Sequence, residues 1–148
     1  MELDETDKRI LDLLQEDARR SFKDIAKEVD VSEATVFFRV KKLVKSGVIK
    51  SFKAIVDPKL VGKETLAFVM LKANPNVYTK VLPTLMKMEE IYEIYDVTGA
   101  YYAILKIRTR NTEELAAIID KIGMIEGITG TETAVVLRKI KEELTIKA

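Results

Sequence analysis

The sequence predicts an α+β fold in two parts, a helical first third followed by a region where strands and helices alternate. Three observations predict it. Up to Ser46, apolar residues recur at helical spacing. From Thr65 onward, four β-rich runs are separated by two amphipathic stretches, in the order βαββαβ. Between the two regimes, Pro58 closes the β-rich run Ile49–Val56, because proline cannot donate to a ladder.

The first helix covers Asp4 to Glu16. Ile10, Leu11, Leu13 and Leu14 form its apolar stripe, and Asp4, Glu5 and Asp7 stand near its start, where the helix dipole favours negative charge. Ser21 with Asp24 resembles a capping box and starts a short helix to about Glu28, with Phe22, Ile25, Ala26 and Val29 apolar. Asp30 and Val31 make a turn. Ser32 caps a third helix that runs to about Ser46, and Gly47 stops it as the C′ residue. Helix, short helix, tight turn, helix is the helix-turn-helix pattern, here over residues 1–50. The β-rich run that follows reads as a wing or as a connector, within a linker over residues 51–64.

On a helical wheel the third helix buries Val36, Val40, Leu43 and Val44, with Phe37 at the flank of that face and expected in the core. Ala34, Phe38, Lys41, Lys42 and Lys45 face outward, with Thr35 at the edge. A recognition helix reads base edges from its N-terminal part and holds phosphates with surrounding cations. Ser32 and Thr35 stand at that end, and Thr35 offers a methyl to thymine or a hydroxyl to a base edge. Phe38 either packs on a thymine methyl or sugar edge, or covers a neighbouring element or subunit. Arg39, between the two faces, either reaches a phosphate or pairs with an acid of the first helix. Glu33 is a helix-dipole residue.

In the second part, Thr65–Lys72, Ile91–Val97, Tyr101–Arg108 and Thr131–Arg138 read as strands. Asn76–Met88 reads as a helix with Pro83 in its first turns. A helix capped by Asn111 or Thr112 carries Leu115, Ile118, Ile119 and Ile122. Thr98-Gly99-Ala100 is a tight turn between the second and third strands. The expected form is a ferredoxin-like domain over residues 65–148, with two helices on one sheet face and an apolar opposite face that meets another subunit.

The 25 Lys and Arg nearly cancel the 24 Asp and Glu, but their positions are uneven. Residues 1–32 hold six basic residues against ten acidic; residues 33–53 hold six basic against Glu33 alone; residues 61–148 hold twelve of each. Such a basic segment suits a polyanion, although a solvated lysine face would look the same. Without Cys or His the chain has no thiolate nucleophile, no imidazole triad and no sulfur or imidazole metal site. The adjacent acidic pairs Glu89-Glu90, Glu113-Glu114 and Glu142-Glu143 diverge on regular elements, and no Gly-rich phosphate loop is present. Neither an enzyme nor a metal or cofactor is expected. The acidic N-terminus and the short apolar runs point to a cytoplasmic chain with no membrane partner. A charged content of 33% with few amides suits a thermophilic source.

Several runs carry a family resemblance. Asp4-Glu5-x-Asp7-x-x-Ile10-Leu11, Asp17-Ala18-Arg19, Ile25-Ala26, Val31-Ser32-x-x-Thr35-Val36-x-x-Arg39-Val40-x-x-Leu43 and Ser46-Gly47-Val48-Ile49-Lys50 resemble the Lrp/AsnC, or feast/famine, transcription regulators. Asp96-Val97-Thr98-Gly99, Tyr101-Tyr102-Ala103-Ile104-Leu105-Lys106 and Thr133-x-x-Val136-Leu137 resemble that family's C-terminal regulatory domain. The resemblance implies an N-terminal winged helix-turn-helix that binds double-stranded DNA; the candidate contacts on this chain are Ser32, Thr35, Phe38, Arg39, Lys41, Lys42 and Lys45, and Phe37-Phe38 stand where the family usually has polar or basic residues. It also implies pairing of C-terminal domains into dimers, often octamers. An amino-acid effector would bind between dimers at Thr98, Gly99, Ala100, Tyr101 and Tyr102, with Thr131 and Thr133. Where the family often has Gly-Asp-Tyr-Asp, this chain has Gly99-Ala100-Tyr101-Tyr102. The expectation is therefore an altered response: a non-basic ligand met by the tyrosines, or none. An architectural DNA-coating protein of the same fold is the alternative.

Overall fold

Three helices build the first unit of the chain: α1 (Glu5–Glu16), α2 (Phe22–Val29) and α3 (Glu33–Lys45). The computed structural model describes residues 2–148. Each helix starts at a side chain that accepts a backbone N–H three residues on: Asp4 from Asp7, Ser21 from Asp24, Ser32 from Thr35. Caps of this kind contribute about 1 kcal/mol each. Gly47, at φ 77°, ends α3 in the left-handed region, where a Cβ is strained. Ile10, Leu13, Ile25, Val36 and Leu43 form the solvent-free centre of the unit.

Two expected core residues lie outside it. Val44 is 46% exposed, because the buried seam of α3 is the narrow row Val36, Val40, Leu43, and Val44 falls beyond it. Phe37, also 46% exposed, lies beside that seam, with its ring edge-on to Phe22. The strand expected over Ile49–Val56, as a wing or a connector, is not formed either. Ile49 donates its N–H to the Leu43 carbonyl at 3.1 Å and packs on the helical core. Beyond it the chain meets no ladder among the described residues, and β propensity without a partner makes no strand.

The second unit holds β1 (Thr65–Ala73), α4 (Tyr78–Met86), β2 (Ile91–Asp96), β3 (Ala103–Thr109), α5 (Thr112–Gly123) and β4 (Ile128–Val135). The order is the expected βαββαβ, and the antiparallel sheet runs β2-β3-β1-β4. Ala67, Val69, Leu71, Leu105 and Ile107 face Val81, Leu85, Leu115, Ile118 and Ile122 of the two helices across a dry core. The opposite sheet face carries Leu66, Phe68, Met70 and Ile104, which alternate with the buried set. β4 begins three residues before the expected Thr131, because its ladder with β1 already pairs Ile128 with Ala73. Asn111, one of the two expected caps of α5, accepts the Glu114 N–H at 2.8 Å.

Gly127 fixes the entry to β4. Its φ is 100°, and an added Cβ would stand 2.6 Å from Val77 Cγ2. Gly127→Ala is expected to destabilise the second unit by about 2–3 kcal/mol, from left-handed strain plus overpacking. A urea titration of the purified variant checks this; an unchanged midpoint would mean that the turn rearranges freely.

The first unit comprises residues through Ile55 together with Lys141–Ala148, and the second comprises Val56–Ile140. The last eight residues join the first unit, where the Gln15 side chain both donates to the Ile146 carbonyl and accepts the Ile146 N–H, each at 2.8 Å. No helix of the described residues is long and apolar enough to cross a membrane.

Candidate nucleic-acid interface and ligand turn

The outward side of α3 presents Phe38, Lys41, Lys42 and Lys45, all exposed. None of the three lysines has an ion-pair partner among the described residues. The Lys41 ammonium stands 6.0 Å from the Phe37 ring centre, a distance at which the ring face attracts a cation. Phe38, 65% exposed, packs edge-on against Phe37, so an aromatic pair separates the helix N-terminus from the lysines. At that N-terminus the Ser32 and Thr35 hydroxyls share a hydrogen bond of 2.7 Å, and Ser32 also accepts the Thr35 N–H at 3.0 Å. Thr35 is thereby held in one orientation at the edge of the outward face.

Arg39 points the other way. Its Nη1 donates to Asp4 Oδ1 and Oδ2 at 2.8 and 2.7 Å and to Asp7 Oδ1 at 2.8 Å. Asp7 is only 5% exposed. Of the two roles the sequence left open, the geometry gives Arg39 the structural one: it ties α3 to the start of α1. The Asp4 carboxyl is held below its usual range, first by the Arg39 hydrogen bonds and then by the Asp7 N–H; the same two carboxylates raise the Arg39 guanidinium.

The candidate ligand turn joins β2 to β3. Val97 donates to the Tyr102 carbonyl at 3.2 Å and Tyr102 to the Leu71 carbonyl at 2.8 Å, while Gly99 takes φ 105° to reverse the chain between them. Of the seven residues expected here, Thr98, Gly99 and Ala100 lie in the turn, and the other four divide between the two sheet faces. Thr131 and Thr133 stand opposite Leu71 and Val69, on the helix-covered side. Tyr102 also turns that way, its ring centre 4.8 Å from that of Tyr78 on α4. Tyr101 instead donates its hydroxyl to Glu132, which stands opposite Met70 on the other face.

Four residues near the turn hold positions that the linear sequence did not signal. Glu132 accepts from Tyr101, and the Lys72 ammonium lies 5.6 Å from the Tyr101 ring centre. Asp96 accepts from the Tyr78 hydroxyl; burial first, then this carboxylate, pushes that hydroxyl up to about 12, so it stays a neutral donor. Two carboxylates thus stand near the turn, one on β4 and one at the end of β2, each accepting from a tyrosine hydroxyl.

A family model described as winged helix-turn-helix DNA-binding matches residues 3–50, and one described as the Lrp/AsnC ligand binding domain matches residues 66–146. The chain is 46% identical over 147 residues to the HTH-type transcriptional regulator FL11 of Pyrococcus abyssi, covering 98% of this chain and 97% of that protein. The FL11 regulator of Pyrococcus horikoshii is 45% identical with the same coverage. Among solved structures, E. coli AsnC superposes with a TM-score of 0.95 at 31% identity over the whole of both chains. The Neisseria meningitidis regulator NMB0573, in complex with L-Met, gives 0.92 at 22% identity, covering 98% of this chain and 96% of that one, a likeness of fold.

Proposed function

The chain belongs to the Lrp/AsnC family of DNA-binding transcription regulators, not of enzymes, and on that premise we propose that it is a sequence-specific regulator, working as a homo-oligomer, whose ligand turn senses an amino acid. The observation that carries the DNA-binding part is the outward face of α3. A fixed Thr35 stands at its N-terminal end, aromatic rings follow, and three lysines without ion-pair partners lie beyond them. That order matches base readout near the helix start and phosphate contacts further along. For the turn, support comes from the ligand-binding family match over residues 66–146 and from the L-Met bound by the Neisseria regulator. Around Tyr101, Lys72 and Glu132 offer one positive and one negative charge, the pair that an amino-acid zwitterion requires.

Selection of bound sequences from random DNA tests the first part. A defined site is expected, and Thr35→Ala should relax preference at one position by about 1–3 kcal/mol while leaving the salt dependence unchanged. A footprint that spreads along any duplex would instead indicate an architectural coat. Calorimetric titration with the twenty amino acids tests the second part, and no heat from any of them would remove it.

A further inference from the structure

Single exposed apolar residues are ordinary on a protein surface and need no explanation. Phe38 differs in its place and in its bracing. It stands at the middle of the outward stripe of α3, about one turn beyond Ala34 and Thr35 and one turn before Lys41 and Lys42. Helical side chains lean toward the N-terminus of their helix, which carries the ring toward Thr35 and away from the lysines. Ala34, small and exposed, leaves it room there.

The ring is also held. Phe22 packs against the helical core, Phe37 meets Phe22 edge-on with ring centres 6.3 Å apart, and Phe38 meets Phe37 edge-on at 5.4 Å. The Lys41 ammonium, 6.0 Å from the Phe37 ring centre, adds a contact to the middle ring. This ladder runs from the core to the surface and leaves Phe38 65% exposed at its outer end. A side chain fixed before binding loses little rotamer freedom on contact.

A phenyl ring offers no hydrogen-bond donor or acceptor. In the major groove guanine presents two acceptors, cytosine an amino donor, and adenine one of each. A ring pressed on any of these strips water from it and replaces none of its hydrogen bonds. Thymine presents an apolar group as well, its C5 methyl. We propose that Phe38 reads thymine through that methyl, within about two base pairs of the position met by Thr35. Three residues advance a helix by about 4.5 Å, and base pairs lie about 3.4 Å apart. The assignment rests on the DNA-binding reading of α3 and adds to it a base, and the group on that base, that the chain selects.

The experiment measures affinity of the full chain for the duplex it selects from random sequence. Each thymine is replaced in turn by deoxyuridine, which removes the methyl and keeps every hydrogen-bonding group of the base. At one thymine the exchange should weaken native binding about three- to fivefold, the worth of one buried methyl. Phe38→Ala should bind the thymine duplex more weakly than the native chain does and should no longer distinguish thymine from uridine. Phe38→Leu, which keeps an apolar tip, should retain part of the distinction. At the same position 5-methylcytosine should bind the native chain more tightly than cytosine does, a gain that a folding defect cannot produce. A defined site at which no uridine weakens the native chain more than it weakens Phe38→Ala overturns the proposal and leaves the regulator reading intact. A Phe38→Ala loss that is equal on both duplexes, with a smaller assembly on sizing, would place the ring against a second copy of the chain and also overturn it. A native chain that selects no defined site would remove the sequence-specific reading, and this assignment with it.

Discussion

Arg39→Ala is expected to destabilise the helical unit by about 2 kcal/mol while leaving the salt slope of DNA binding unchanged. Asp7 is almost fully buried, and its carboxylate accepts from the Arg39 guanidinium. Removing the arginine leaves a desolvated charge without its partner, at a cost of about 1–3 kcal/mol. The other hydrogen bonds of Arg39 go to Asp4, whose carboxylate also caps α1, so the substitution loosens the start of α1 against α3. DNA affinity should fall only as far as the folded fraction falls. An arginine bound to phosphate would behave differently: its removal would flatten the salt slope by about 0.9 without changing the denaturation midpoint. Urea denaturation and a salt series on the same protein separate the two roles.

The pH dependence follows from the same pair. Arg39 holds the Asp4 carboxyl below its unfolded value of about 3.9. The unfolded chain therefore takes up the proton first. The stabilisation is complete above the unfolded pKa and is lost as pH falls through the lower folded value. Acid titration of the native chain should show this loss below about pH 4. In the Arg39→Ala variant that part of the profile should be smaller, leaving what the Asp7 N–H contributes.

These assignments show where the linear sequence was informative. Caps were legible because Ser32 and Thr35, or Ser21 and Asp24, interact over three residues, within reach of local geometry. The βαββαβ order was legible because burial imposes period 2 on strands and 3.6 on helices. Arg39 kept two roles in the sequence because its partners lie 32 and 35 residues away, and only the crossing of α3 over α1 brings them together. Glu132 and Tyr101 are 31 residues apart, and their meeting depends on the register of β4 with β1. Docking of Ile146 on Gln15 joins residues 131 apart through an amide and a backbone, groups with no distinctive pattern. The strand expected over Ile49–Val56 failed for the converse reason: composition can favour an extended chain without supplying a neighbour to pair with it.

Replacing Lys41 and Lys42 together by alanine is expected to weaken DNA binding by about ten- to a hundredfold on every sequence tested, with the denaturation midpoint nearly unchanged. Both side chains are exposed and have no carboxylate partner among the described residues, so the fold suffers little when they are truncated; alanine also raises helix propensity slightly. With two fewer phosphates neutralised per protomer, the salt slope should become shallower by about 1.8, and each such phosphate is worth close to tenfold near 0.1 M salt. Sequence preference should survive, because Thr35 and Phe38 remain in place on the same helix. That combination, lower affinity with retained preference, distinguishes phosphate binding from base readout. An affinity and salt slope equal to those of the native chain would make the lysine face an ordinary solvated surface. The hold on DNA would then have to come from other cations, and the first to test would be Lys50 and Lys53, which continue the basic segment beyond α3.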